Sequence, residues 1–164
     1  MTLNEVLQKP LVVGDGAMGT ALMERGLPAG QASEIWNLER PEVVEEIHGG
    51  YLEAGADYVL TNTFGGNALS LARHGLDART VEINRAAARI ARQAAGSKRL
   101  VLGDVGPTGE LLEPYGDLSA EEAREAFGRQ IGALAECGVD AVIFETFESA
   151  SELRTALEAA RERC

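Results

Sequence analysis

Two stretches of this chain share one pattern, and that pattern decides the fold. The first reads Glu53-Ala-Gly-Ala-Asp-Tyr-Val-Leu-Thr-Asn-Thr-Phe64, and the second reads Glu136-Cys-Gly-Val-Asp-Ala-Val-Ile-Phe-Glu-Thr-Phe147. In each stretch a helix end is followed by a glycine, an apolar run and a polar cluster. Apolar runs that alternate with helices are typical of parallel strands buried on both faces. The repeat therefore predicts a parallel α/β fold, and its spacing of two βα units favours a (β/α) barrel of TIM type over a doubly wound sheet.

Four βα units can be followed along the sequence. The predicted strands are 11–13, 57–60, 99–103 and 140–144. Helices are predicted over 17–25, 41–55, 67–75, 80–95, 119–138 and 149–164, the last two opened by the capping boxes Ser119/Glu122 and Ser149/Glu152, and residues 28–38 are predicted to be a loop. Because a complete (β/α)₈ barrel needs about 250 residues, the 164 residues of this chain predict half a barrel, about the first four βα units.

The composition excludes several classes of partner. The chain has 15 Lys and Arg against 26 Asp and Glu, a formal net charge of −11, and 45% hydrophobic residues. Such acidity repels phosphate backbones and anionic lipid, while the apolar content is that of a folded protein. No secretory signal or membrane span is recognisable, and two cysteines make no disulfide framework. We expect a cytoplasmic protein that binds neither nucleic acid nor membrane.

Function in βα folds gathers where the parallel strands end. The polar residues at these positions are Asp15, Thr61, Asn62, Thr63, Asp104 with the loop around Gly106, and Glu145. Asp15 would serve equally well as a helix cap. Glu145 follows an apolar strand, where a carboxylate needs a partner, and this favours a site role over a structural pair. If both face one pocket, the two carboxylates suit a cationic group such as an α-ammonium, or an acid/base pair.

Two further features of the strand ends have both a functional and a structural interpretation. The backbone amides between Gly103 and Gly109 suit a carboxylate or a phosphate, although glycine-rich loops are common. Residues 61–64 form either the polar rim of a site or an ordinary turn.

Metal ligands are not recognisable in this sequence. Cys137 and Cys164 fall at predicted helix ends, on the face opposite the strand ends. His48 and His74 lie in predicted helices without the spacing of metal ligands, so they are expected to be solvated or hydrogen-bonded. The sequence predicts no metal site.

The strand-end residues are similar to those of a known family. The motifs are Gly14-Asp-Gly-Ala-Met-Gly-Thr20, Trp36-Asn37 with Pro41-Glu42-Val43, Gly55-Ala-Asp57 leading to Thr61-Asn-Thr-Phe64, Gly103-Asp-Val-Gly-Pro-Thr-Gly109, and Glu145-Thr-Phe147. In this order they resemble the homocysteine S-methyltransferase family, which includes the homocysteine-binding module of cobalamin-dependent methionine synthase and the betaine–homocysteine methyltransferases. The resemblance covers nearly the whole chain and implies a zinc-dependent (β/α)₈ barrel.

The resemblance also implies roles for individual residues. The family's two carboxylates for the amino group of homocysteine correspond to Asp15, which Gly16 follows, and to Glu145. The loop around Gly106 corresponds to the family's backbone cradle for the amino acid. Residues 61–64 resemble the rim that faces substrate and methyl donor. In the family, a zinc ion bound by three cysteines takes the homocysteine sulfur as a thiolate, which attacks the methyl group of the donor.

Those three cysteines belong to the family's second half, to which nothing in this chain corresponds. The resemblance therefore implies that residues 1–164 are the N-terminal half of a homocysteine-binding barrel, with C-terminal truncation the simplest explanation. Methylcobalamin, betaine and S-methylmethionine remain open as methyl donors. Two other functions also remain open: a non-catalytic half-barrel module that self-associates through exposed sheet edges, and a metal-independent lyase that uses Asp15 and Glu145.

Overall fold

A computed structural model describes residues 2–163, which form eight α-helices and three β-strands. The strands are β1 (Tyr58–Leu60), β2 (Leu100–Val105) and β3 (Ala141–Phe144). The helices are α1 (Leu3–Leu7), α2 (Met18–Glu24), α3 (Trp36–Glu39), α4 (Pro41–Glu53), α5 (Ala68–Ala72), α6 (Thr80–Ala95), α7 (Ala120–Glu136) and α8 (Ala150–Arg161), with 3₁₀ turns at Ser33–Ile35 and Asp77–Arg79.

The three strands form one parallel sheet in the order β1-β2-β3. Neighbouring strands are also consecutive in the sequence, and helices provide the crossover that parallel pairing requires. This confirms the predicted parallel α/β fold. Within the described residues the sheet has three strands and does not close into a barrel.

The predicted first strand, at residues 11–13, is wrong. The segment runs beside β1, where the Asp57 N–H donates to the Val13 carbonyl at 2.7 Å. However, the Val13 N–H donates to the Asp57 side chain at 3.0 Å instead of to a strand backbone. A ladder needs backbone bonds in both directions along the segment, so these residues remain an extended connection.

The two faces of the sheet are covered differently. Val59 and Val101 pack against the long helix α6 through Ala91 and Ala95. The opposite face packs beneath α1 through Val6, and its strand residues are Tyr58, Leu60, Leu100, Leu102, Ala141 and Ile143. Because side chains alternate along a strand, Asp104 shares this second face.

Local signals predicted most helices well. The observed α6 has the predicted bounds, and both bonds of the Ser119/Glu122 capping box are present at α7. The second predicted box is wrong: Ser149 caps α8, but the Glu152 carboxylate accepts from the Thr108 N–H at 2.7 Å. Residues 28–38 are not simply a loop either, because burial of Ile35 and Trp36 folds them into a 3₁₀ turn and α3.

The far edge of β3 pairs with no strand of the described chain. An apolar groove lies along it, lined by Val142, Phe144, Leu157 and Ala160 among others. Among the described residues, no helix has the length and apolarity needed to cross a membrane.

Candidate substrate-binding site

A cavity of about 250 Å³ lies at the carboxyl ends of β1 and β2. Three carboxyl-bearing residues line it, Asp15, Glu34 and Asp104, and none of the described lining residues is basic. Residues 61–64 form another part of the wall. The pocket beside the ends of β1 and β2 therefore has an excess of acidic groups, among them Asp15 of the predicted site residues.

Two tyrosines fix the position of Asp15. A side chain at Gly14 would meet the Tyr58 hydroxyl oxygen at 2.6 Å, and one at Gly16 would meet the Tyr51 ring at 2.7 Å. This close packing holds the segment against β1, where the Asp15 Oδ2 accepts from the Leu60 N–H at 2.9 Å.

The alternative role of Asp15 as a helix cap is wrong. Helix α2 begins at Met18 after Ala17, and no side chain caps it. Burial is the main cause that raises the pKa of Asp15 to about 6, and the charge of Glu145 raises it further, while the Leu60 N–H acts in the opposite direction.

Glu145 follows directly after β3 and is half-buried. Its N–H donates to the Val105 carbonyl at 3.2 Å, which extends the pairing of β3 with β2. The next residue, Thr146, has a φ of 62°, which is strained for a β-branched residue. The charge of Glu145 raises the pKa of both Asp104 and Asp15, so the charged groups near it are acids and not a cation.

Asp104 is the most deeply placed of these acids. It is 5% exposed, and its Oδ1 has no hydrogen-bond partner in the described part of the chain. Burial is the largest cause that raises its pKa to about 8, followed by the charges of Glu145 and Asp15. The sequence places Asp104 at a strand end, but a site role follows only from its inward face on β2.

Thr61, Asn62 and Thr63 are buried and mostly bonded within the protein. The Thr61 hydroxyl accepts from the Asp104 N–H at 3.0 Å, and the Thr63 hydroxyl donates to the Asp104 carbonyl at 2.7 Å. The Asn62 amide donates to the Asn37 side chain at 3.1 Å. These three residues tie the end of β1 to its neighbours and shape the cavity wall, with Phe64 41% exposed beside them.

Gly106 does not line the cavity, and its amide is already engaged. The Gly106 N–H donates to the Phe64 carbonyl at 3.0 Å, and a side chain at this position would meet the Phe64 ring at 2.6 Å. The Thr108 N–H is likewise bound by Glu152. Two amides of the predicted cradle are therefore not free to bind a carboxylate. Gly16 and Glu145 are not among the lining residues either; Gly16 follows the lining residue Asp15, and Glu145 follows β3.

Three buried polar residues were missed by sequence reasoning. The Glu34 Oε1 accepts from the Gly65 N–H at 2.7 Å, inside the segment predicted to be a loop. The Asn84 amide donates to the Gly66 carbonyl at 2.7 Å, and the Gln130 amide donates to the Thr63 carbonyl at 2.7 Å. Asn84 and Gln130 interrupt the apolar faces of α6 and α7, and that interruption is the signal that would have found them.

No group of three or more His, Cys, Asp or Glu within residues 2–163 is placed to hold a metal ion. Cys137 is the C-cap of α7, and Cys164 lies outside the described residues. His48 is fully buried, and neither of its nitrogens has a partner in the described chain. The prediction that it is solvated or hydrogen-bonded is therefore wrong.

The fold and the site define a parallel α/β protein with an acidic cavity at its strand ends. A family model described as homocysteine S-methyltransferase matches residues 12–164. The chain belongs to the homocysteine S-methyltransferase family, as the sequence motifs predicted.

Relatives and solved structures agree with this assignment. The chain is 38% identical to methionine synthase of Mycobacterium tuberculosis and 36% identical to methionine synthase of Mycobacterium leprae, in each case over 97% of this chain. It spans only 14% of the length of each of these relatives.

The metallated form of the homocysteine methyltransferase MmuM from Escherichia coli aligns with a TM-score of 0.84 at 25% identity. That alignment covers 98% of this chain and 62% of MmuM. The relatives are methyltransferases, and this chain corresponds to part of each.

Proposed function

We propose that this chain carries the amino-acid-recognition half of a homocysteine S-methyltransferase built as a (β/α)₈ barrel. The observation that carries the proposal is the acidic cavity, where Asp15, after the extended segment 11–13, and Asp104, near the end of β2, lie without a basic residue in the described lining. A primary ammonium group matches such a cavity in charge, because ionised carboxylates accept strong hydrogen bonds from it. The family match favours methyl transfer over the lyase alternative.

Asp15 and Glu145 are the proposed ligands of the homocysteine ammonium group. Asp15 has a pKa of about 6 and is therefore mostly ionised at neutral pH. Its bond from the Leu60 N–H orients the carboxylate before the ligand arrives, which reduces the ordering that binding requires. Thr61, Asn62 and Thr63 shape the wall, and Phe64 lies at its exposed rim.

The family's zinc does not fit the residues described in this chain, because they include no set of ligands for it. We propose that the zinc ligands belong to a segment not contained in these residues, and that the methyl donor is methylcobalamin. The greater identity to methionine synthase than to MmuM supports that choice of donor. In an enzyme completed with the zinc half, turnover with methylcobalamin but not with S-methylmethionine would agree with it.

Calorimetric titration of this chain with reduced L-homocysteine tests the proposal. We expect Asp15→Asn and Glu145→Gln each to weaken binding by about tenfold or more, because a hydrogen bond to a charged group contributes about 1.5–3 kcal/mol. Asp77→Asn, an exposed aspartate outside the cavity, is the matched control. Wild-type binding in both site variants would contradict the proposed role. In a completed enzyme the same two variants should keep a normal zinc content.

The free edge of β3 supports the half-barrel part of the proposal. We propose that the groove along this edge receives the remaining strands of the barrel, and that in their absence two copies of the chain pair there. Light scattering after size-exclusion chromatography should show self-association of the wild type. Leu157→Arg, in the groove and 42% exposed, should shift the chain toward monomer, whereas Leu111→Arg, 62% exposed elsewhere, should not. A wild-type monomer would argue against both ideas.

A further inference from the structure

The Asp104 carboxyl group faces the cavity without the partner that a buried polar atom usually has. Its side chain is 5% exposed and its Oδ1 is unpartnered within the described chain. By contrast, the Asp104 backbone is fully tied down, because Thr61 accepts from its N–H and Thr63 donates to its carbonyl. The backbone of Asp104 is therefore fixed at the cavity wall, while its carboxyl group lines the cavity with a buried oxygen that no protein group satisfies, and such an unsatisfied group is expected where a ligand supplies the missing partner.

The groups that face Asp104 are acids. The charges of Glu145 and Asp15 raise its pKa most among its neighbours, Glu34 adds a smaller effect, and no described residue lining the cavity is basic. Acids so close together do not all ionise at once. Asp15, Glu34 and Asp104 line one cavity without a basic residue among the described lining, so a shared proton is the way in which such a cluster limits its charge.

Asp104 is the group that holds this proton. Burial and the neighbouring charges raise its pKa to about 8, above the pKa of about 6 for Asp15. The Gln130 amide lies 3.2 Å from the Asp104 carbonyl and does not compensate the carboxyl group. At neutral pH the empty cavity therefore contains a neutral Asp104 beside an ionised Asp15.

We propose that Asp104 is a third ligand of the substrate ammonium group and that it releases its proton to solvent when the ammonium binds. This inference rests on the proposed function, since it takes the homocysteine ammonium as the occupant of the cavity. One positive charge enters as R–NH₃⁺ and one leaves as H⁺, so the net charge of the cavity is conserved. No covalent bond to carbon or sulfur forms or breaks.

Binding linked to proton release depends on pH in a defined direction. Between the lower pKa of Asp104 in the complex and about 8 in the free protein, the association constant should rise by up to about tenfold per pH unit. Above about pH 8 the Asp104 carboxyl group is already ionised in the free protein, so its effect on the pH dependence of the association constant should disappear. A site built only from ionised carboxylates would show no such rise above the pKa of Asp15.

Calorimetry with reduced L-homocysteine at pH 7, in phosphate and in HEPES, counts the protons released. These buffers differ in ionisation enthalpy, and neither contains a primary amine that would compete for the site. For the wild-type chain we expect about one proton released per ammonium bound. We expect close to none for Asp104→Asn, whose amide imitates the protonated acid, and an unchanged value for the control Asp77→Asn. 4-Sulfanylbutanoate, which keeps the thiol and carboxylate of homocysteine but lacks the amine, should release no proton.

Carbon-13 NMR of aspartate-labelled chain tests the proton without any ligand. One aspartate carboxyl should titrate near pH 8 and be missing from the Asp104→Asn spectrum. If no aspartate titrates above pH 7, the proposal is overturned even if Asp104→Asn fails to fold.

The failures of the two proposals have different signatures. Homocysteine binding that Asp15→Asn weakens, without proton release, overturns only the role of Asp104. Proton release that persists in Asp15→Asn, with unchanged affinity, overturns only the role of Asp15. Proton release with 4-sulfanylbutanoate overturns the link to the ammonium group. Absence of binding to the wild type overturns both proposals for this chain.

Discussion

Gly66 lies where the buried amide side chains of α6 and α7 meet the end of β1, and its replacement by alanine should destabilise the protein. An added Cβ would lie 2.7 Å from the Asn84 Oδ1, 2.9 Å from the Gln130 Nε2 and 2.9 Å from the Thr63 carbonyl. Asn84 and Gln130 would have to move, and their 2.7 Å bonds to the Gly66 and Thr63 carbonyls would be lost or weakened. Gly66 does not have a positive φ, so crowding is the cause and not backbone strain.

The expected magnitude follows from two contributions. Overpacking a tight interior costs about 1–3 kcal/mol, and buried polar groups left without partners cost about 1–3 kcal/mol. We therefore expect Gly66→Ala to lower the free energy of unfolding by about 2–5 kcal/mol. For a chain of this size that corresponds to a fall in Tm of about 5–15 °C.

Gly50→Ala is the matched control, because it makes the same chemical change on an open surface. Gly50 lies inside α4, and a Cβ there would meet nothing within 4 Å. Alanine is the better helix former by about 1 kcal/mol, so this variant should be more stable than the wild type. Urea unfolding followed by circular dichroism measures both variants. If Gly66→Ala is as stable as the wild type, the argument that this amide cluster supports the β1 end is refuted.

Three other predictions concern buried charge and polarity. Burial lowers the pKa of His48 to about 4; the unfolded chain then binds a proton that the folded chain excludes, so stability should fall as the pH drops from about 6.5 toward about 4. His48→Leu should remove that dependence and raise the unfolding free energy by about 1 kcal/mol at pH 7, and denaturant unfolding at pH 7 and 5.5 checks both effects. Glu152 accepts from both the N–H and the hydroxyl of Thr108, so Glu152→Ala should cost about 2–4 kcal/mol and Glu152→Gln less than half as much; equal, small losses would restore the capping-box interpretation. The pKa of Asp104 is about 8 in the folded protein and 3.8 ordinarily, so its contribution to the free energy of unfolding is complete below pH 3.8 and is lost as the pH rises through 8. Thermal unfolding should therefore show Asp104→Asn to be more stable than the wild type at pH 8 and close to it at pH 4.

The helices and strands that depend on local signals were predicted well. Helix α6 has a sustained apolar periodicity and a glycine after its end, and its bounds agree with the prediction. The segment 11–13 has a β-branched composition but is not a strand, because pairing is a nonlocal property and the Val13 amide is taken by the Asp57 side chain. Strand composition alone does not show whether a neighbouring backbone is available to form a ladder.

The site was predicted in part, for the same reason. Strand topology brings Asp15, Asp104 and the residues after β1 to one cavity, which the sequence indicated. Whether a given amide or acid in that region is free depends on distant partners. Gly106 is engaged by the carbonyl of Phe64, and Glu152 leaves its own helix end to bind Thr108. No local pattern in the sequence contains those pairings.

The carboxyl group of Asp104 lowers the stability of the folded protein, so its presence is better explained by ligand binding than by stability. Burial and the neighbouring acids raise the pKa of Asp104, and this lowers the stability of the folded state at neutral pH. No cation among the described lining residues compensates this cost. An asparagine would fill almost the same volume without that cost. The structural need at this position, a tie between β1 and β2, is met by the Asp104 backbone through Thr61 and Thr63 and would survive the substitution. The acid itself therefore has a physical rationale only when a positive charge enters the cavity, and this is why the proton-release measurement bears more directly on function than any stability measurement does.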